Sequence, residues 1–315
     1  MTKKNILLLL IVLLCNLSLI SEDYSLFRIG GLYGIIGNNR KIVMQPSYDW
    51  IDIGENSIVC SKKGVIEIYN KSLKLLYTDS WVNILDYTEN EILITESLTA
   101  NKKLLNVFTG TISDYNRNER YLEEHGYRDN LELVWESGKS EFLYSIVDTK
   151  GNVILTDIEE AHSVYTNGMI AVILKDGRSG FVNTKGQLII ETDFYIEPED
   201  IGPRKYPVIR YAFSEKYALV KKQNQKWVQF DLKGRMKEFP DSIEPVEPYY
   251  HNGLVLIRDK TTNKFGYMNP KFEKVILCNF DEACSFAGKY AVVKFNNKDA
   301  IIDKKGIVYY CDELK

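Results

Sequence analysis

Eight four-residue turns, spread along nearly the whole chain, constrain the fold more than any other feature. Asn183-Thr184-Lys185-Gly186 is the clearest of them. It joins the apolar runs Phe181-Val182 and Leu188-Ile189-Ile190, and an earlier run from Ile170 to Leu174 precedes them across a polar break. Short runs rich in β-branched and aromatic residues, bounded by Gly, Asp and Asn, suit strands rather than helices. In such a turn the Asn or Asp side chain bonds backbone two residues on, and the Gly takes the positive φ that closes a hairpin.

Asp148-Thr149-Lys150-Gly151, Asp231-Leu232-Lys233-Gly234 and Asp303-Lys304-Lys305-Gly306 repeat the pattern. Weaker copies are Gly37 to Arg40, Asn70 to Leu73, Val107 to Gly110 and Asn269 to Phe272. The last residue of each turn falls at 40, 73, 110, 151, 186, 234, 272 and 306, in steps of 33 to 48 residues. A period of this size marks a repeat architecture, in which neighbouring units bury each other's apolar faces. The fold class expected is all-β, about eight short antiparallel meander units, β-propeller-like, with an open β-solenoid as the alternative. One repeat domain over residues 22–315 is expected.

The first 21 residues read differently. Lys3 and Lys4 precede the unbroken apolar run Ile6 to Leu14, and acidic Glu22-Asp23 follow Ser21. A basic start, a short apolar core and a small residue describe a secretory signal peptide, with cleavage near Ser21. The apolar segment falls short of the roughly 20 residues needed to cross a bilayer. An uncleaved anchor and lipidation at Cys15 are the alternatives. Export to the periplasm, cell surface or medium is expected. Cleavage removes two lysines and no acids, so the net charge becomes (40 − 2) − 43 = −5. That mild acidity argues against nucleic acid as a partner. Cys60, Cys278, Cys284 and Cys311 remain; they are open to disulfide pairing in an exported protein or to burial as small apolar residues. No close Cys pair points to zinc.

Residues 32–51 carry a resemblance. Leu32-Tyr33-Gly34-Ile35-Ile36 is followed by Lys41-Ile42-Val43 and then Pro46-Ser47-Tyr48-Asp49. Lys264-Phe265-Gly266-Tyr267-Met268-Asn269, Val275-Ile276-Leu277, Phe280-Asp281 and Ser285-Phe286-Ala287-Gly288 repeat it, and Ser179-Gly180-Phe181-Val182-Asn183 matches in part. The pattern resembles the bacterial WG repeat family over nearly all of residues 26–312. Tyr33, Ser179, Phe265 and Asp299 stand where that family has Trp, and Trp227 is followed by Val228. The resemblance implies interaction roles.

The recurring Asp148, Asn183, Asp231, Asn269 and Asp303 resemble a ligand ring, but their turn positions assign them to local backbone capping. Asp49 and Asp281 are read as structural too. His125, His162 and His251 are isolated, and no motif for a nucleophile, phosphate loop or zinc site occurs. Glu123-Glu124, Glu159-Glu160 and Asp281-Glu282 are read as solvated faces. No catalytic, cofactor-binding or metal residue is assigned, and no cofactor is expected. The candidate ligand-face aromatics are Trp81, Tyr249, Tyr250, Tyr309 and Tyr310, since Tyr and Trp give large contact area at low entropy cost; core packing is the competing reading. Residues 115–129 are polar and read as a loop or short helix, a solvated insertion unless it carries function. The expected function is an exported, non-catalytic binding protein that holds a protein or cell-envelope glycan. The alternative is a secreted carbohydrate-active enzyme with a carboxylate-lined central pocket.

Overall fold

The structure, a computed structural model, describes residues 24–54, 56–80, 82–87, 90–95, 102–114, 131–135, 143–148, 150–162, 166–196, 199–201, 204–206 and 208–314. The signal-like segment, Trp81, His125, Glu123-Glu124 and the insertion at 115–129 lie outside the described residues. What is described is all-β, with a single short 3₁₀ turn, Cys311–Glu313, and no helix long and apolar enough to cross a membrane. It is the β-propeller-like repeat fold expected from the turns. Chain contacts gather into two compact units, Met1–Leu122 with Glu282–Lys315, and Glu123–Asp281.

The first unit holds four sheets. The first has three strands, Tyr24–Ile29, Leu32–Gly37 and Ile42–Tyr48. The second runs Trp50–Ile53, Ser57–Lys62, Val65–Asn70 and Leu75–Asp79. The third runs Asn83–Tyr87, Glu91–Thr95, Lys103–Asn106 and Ile112–Asp114. The last sheet of the chain, Glu282–Ala283, Tyr290–Phe295, Lys298–Asp303 and Val308–Tyr310, completes this unit. The second unit holds a six-stranded sheet from Leu131 to Glu191 and two four-stranded sheets, Phe213 to Glu238 and Ile243 to Phe280. Every strand pairing within these sheets is an antiparallel neighbour in sequence.

Seven sheets of three or more strands therefore carry eight turn-bearing meanders, because the six-stranded sheet contains two. They share Val153–Ala161. Leu155 of that strand pairs with Ile146 on one side, while Ile158 to Ala161 pair with Leu174 to Val172 on the other. The joint lies at Asp157, which has φ 55°. The stretch from Glu197 to Arg210, irregular by sequence, includes a small hairpin, Glu199–Ile201 with Arg204–Tyr206. Pro46 and Pro245 sit in edge strands, where a missing N–H costs no ladder bond.

All eight turn-closing residues have positive φ: Arg40, Leu73, Gly110, Gly151, Gly186, Gly234, Phe272 and Gly306, between 60° and 80°. Asn70, Asp148, Asn183, Asp231, Asn269 and Asp303 each accept two backbone N–H bonds, from the residues two and four positions on. The Asp and Asn side chains of the apparent ring are thus turn caps. Gly186 combines φ 73° with a close approach: a Cβ there would lie 2.6 Å from the Ile154 carbonyl oxygen. Gly186→Val is expected to destabilise by about 1 kcal/mol or more, and Thr184→Ala beside it to be nearly neutral; urea midpoints of the two variants check this.

The two ends of the chain meet inside the first unit. Phe27 and Ile36 of the first sheet pack with Tyr290, Ile301 and Cys311 of the last. Ser25, 1% exposed, accepts the backbone N–H groups of Lys289 and Tyr290 at 3.2 and 3.3 Å. Arg28 pairs with Glu282 at 2.7 Å and Asp299 at 3.2 Å. Neither sheet lends the other a strand, so packed side chains and side-chain bonds to backbone make the junction. An open solenoid would leave its two terminal units apart; here they bury each other.

Candidate functional site at the junction of the first and last sheets

The turn-closing residue of a meander reaches toward the preceding one, and the contact is usually filled. Leu73 packs into the cluster built on Ile35 and Tyr48. A Cβ on Gly110 would lie 3.3 Å from Leu76, and one on Gly234 3.4 Å from Ile190. The Phe272 ring lies 4.3 Å from that of Phe239. Arg40 is the first sheet's counterpart, and it reaches the last sheet: its guanidinium sits 4.2 Å above the Tyr309 ring. A non-glycine residue at φ 63° is strained. Leu73 and Phe272 offset that cost by apolar packing; Arg40 does so with a cation–π stack.

This junction leaves a cleft of about 350 Å³, with Asn39, Arg40 and Lys41 on one side and Tyr309, Tyr310 and Glu313 on the other, together with Val308 and Leu314. Tyr309 is held in place from three directions. Arg40 covers one face, the Tyr290 ring meets it edge-on at 6.1 Å, and its hydroxyl donates to Asp303 at 3.3 Å. Desolvation and the Asp303 carboxylate push its hydroxyl pKa up, so the ring stays neutral at ordinary pH. The Tyr310 ring carries the Lys298 ammonium at 5.3 Å, and Lys298 in turn pairs with Asp312 at 3.6 Å. Elsewhere between the first and last sheets, bonds from Arg28 and then Lys294 hold the Glu282 carboxyl below its usual range.

Of the candidate aromatics, the structure brings Tyr309 and Tyr310 together in this cleft and places Tyr249 and Tyr250 elsewhere. Those two are a correction: they are core residues, 8% and 2% exposed. The Tyr249 hydroxyl donates to the Arg210 carbonyl, and the Tyr250 hydroxyl to Gln229 at 2.5 Å. A tandem Tyr pair in sequence does not reveal whether its polar tips find partners indoors. The site's other wall, Asn39 to Lys41, escaped sequence reasoning because it lies far from Tyr309 along the chain. The one available signal was an Arg where five of the eight turns carry Gly.

Asp49 accepts the Lys63 N–H at 2.7 Å and Asp281 pairs with Lys264, so both do structural work. His162 is buried, and His251 lies 3.3 Å from Glu247. Among the described residues no group of His, Cys, Asp or Glu is arranged to hold a metal ion, and no disulfide joins Cys60, Cys278, Cys284 and Cys311. Burial pushes the Cys60 thiol up and that of Cys311 to about 11, which keeps both protonated and unreactive.

Glu160, half-buried, is the one member of the Glu159-Glu160 pair that departs from a solvated face. Burial raises its pKa to about 7, a bond from the Ala161 N–H offsetting this in part. The folded value exceeds the unfolded one, so the associated stability is complete below about pH 4.5 and is lost as pH rises through 7. Glu160→Gln is expected to stabilise the fold by about 1–2 kcal/mol at pH 8, allowing for solvent screening, and to change little at pH 4. Urea midpoints at the two pH values test the sign.

Fold and site together define a propeller-like repeat protein with a cation- and tyrosine-lined cleft. Residues 265–298 match the model of the WG containing repeat. The matched stretch includes Phe265-Gly266-Tyr267, the chain's form of the Trp-Gly pair, so the chain carries at least one recognisable WG repeat. No curated protein matches the chain. Among solved structures, it is similar to BamB from Moraxella catarrhalis, at 10% identity and TM-score 0.39 over 92% of this chain and 91% of that one. Apo AztD from Citrobacter koseri gives 12% identity and TM-score 0.46 over 91% and 92%. Hsv2p from Kluyveromyces lactis gives 12% and 0.42 over 79% and 91%.

Proposed function

We propose that this protein is an exported, non-catalytic binding protein that holds a protein or cell-envelope ligand on its β-repeat scaffold. The cleft at the first-to-last junction is the observation that carries the reading. There, among the described residues, charges without an ion-pair partner meet half-buried tyrosines, while most turn Asp and Asn side chains are committed to their own backbone. Among the described residues Glu313 is the single carboxylate lining it, whereas glycoside hydrolysis needs a facing pair. The basic, apolar N-terminus supports export. The test is affinity capture from envelope extract with residues 22–315, run beside a glycan array. Saturable retention of a component by the folded protein, absent with heat-unfolded protein, is the expected result. Turnover of an oligosaccharide, or no retention on either platform, would overturn the reading.

A further inference from the structure

We propose that the cleft binds an extended peptide segment of mixed charge, a carboxylate lying against Arg40 and Lys41 and a cation against Glu313. This rests on the binding role above and names its ligand class.

Charge comes first. Arg40 stacks on Tyr309 through the face of its guanidinium, and among the described residues neither it nor Lys41 has a carboxylate partner. A guanidinium held flat by an aromatic ring keeps its N–H edges free, in the fork that a carboxylate matches. The stack also fixes the side chain before any ligand arrives, which lowers the entropy cost of binding. The backbone strain at Arg40 points the same way: five other turns use Gly at this position, and here a cation is kept at φ 63° instead.

The opposite wall selects among anions. Glu313, exposed and likewise without an ion-pair partner among the described residues, faces the same space. A polyanion such as an acidic glycan would meet Arg40 and Lys41 at the cost of repulsion from Glu313. A chain alternating acid and base satisfies both walls. Sugar stacking is poorly served as well, since Arg40 and Tyr290 already occupy the Tyr309 ring.

Shape supplies the rest. Val308–Tyr310 is the edge strand of the last sheet, paired on one side to Lys298–Asp303. An edge strand offers backbone donors and acceptors to an added extended segment, while side-chain pockets set specificity. Three residues of edge and a volume of about 350 Å³ suit two or three peptide residues rather than a folded surface.

The test is selection from a randomised pentapeptide library on immobilised residues 22–315, with Arg40→Gly, Lys41→Gln and oligogalacturonate as comparison arms. Wild-type protein should enrich peptides holding an acidic and a basic residue at adjacent positions, since neighbouring side chains of an extended segment point to opposite walls. Affinity for the selected peptide should fall at least tenfold in Arg40→Gly and in Lys41→Gln. Arg40→Gly restores the residue used at five other turns, so its melting temperature should match wild type and keep folding out of the comparison. Enrichment of peptides lacking acids, no enrichment, or equal affinity in Arg40→Gly would overturn the proposal. Binding of oligogalacturonate lost in Arg40→Gly, with no peptide selected, would overturn the peptide while leaving the binding role intact. Failure in both this selection and the envelope capture would remove the binding role too.

Discussion

A chain lacking residues 287–315 is expected to lose cooperative unfolding and to aggregate. The deletion removes Tyr290–Phe295, Lys298–Asp303, Val308–Tyr310 and the 3₁₀ turn. It exposes Phe27 and Ile36, both 0% exposed in the whole chain. Each such side chain stabilises a fold by roughly 1.5–3 kcal/mol, so this pair alone puts about 3–6 kcal/mol at risk against a total of about 5–15. Ser25 would lose both its donors and Arg28 its Asp299 partner. The remaining Glu282–Ala283 strand would have nothing to pair with. In a solenoid the same deletion removes a cap and leaves the other units folded. Calorimetry and light scattering on the truncated protein decide between them. A soluble monomer with one sharp melt near the parent's would show that the terminal sheets do not support each other.

Gly180→Ala is expected to destabilise the fold by about 3 kcal/mol or more. A Cβ there would sit 1.9 Å from the Ile190 carbonyl oxygen and 3.0 Å from the Glu191 Cα. The contact is with backbone of a paired strand, and Phe181 and Ile190 beside it lie in the second unit's core. Neither side can move without breaking the ladder. Gly34 and Gly266 occupy the same place in their repeats, with 2.6 Å approaches to the Met44 and Ile276 carbonyls. This close crossing is the physical reason a Gly follows Tyr33, Ser179 and Phe265, whereas Ala300 follows Asp299. Gly177→Ala is the control: it has φ 85° and open space for a Cβ, so it should cost only about 1 kcal/mol. Chemical denaturation of both variants checks the prediction, and equal losses would show that backbone conformation alone, without the crossing, sets the cost.

The meanders were legible in the sequence because their causes are local. A side chain at Asn183 or Asp231 reaches only the next few backbone N–H groups, and a Gly at the fourth position answers to its own φ. Both can be read within a handful of residues, which is why all eight turn positions hold. The repeat period then implied neighbours stacked in order. The aromatics were not legible in the same way. Tyr249-Tyr250 and Tyr309-Tyr310 look alike in sequence, yet the first pair is buried, with its hydroxyls on the Arg210 carbonyl and Gln229, and the second is only half-buried. Whether a ring is buried depends on which strand packs opposite, and that is a tertiary fact.

The sequence by itself determined the strand class, the turns, their spacing and the side chains that cap them, since these are set by interactions within about five residues. Only the tertiary structure decided that the two chain ends bury each other, that two of the meanders share one strand, and that Arg40 lies over Tyr309. Those contacts join residues up to 271 positions apart. Their stability comes from apolar surface removed from water and from charges brought together in low dielectric, and neither quantity exists until the sheets are in place.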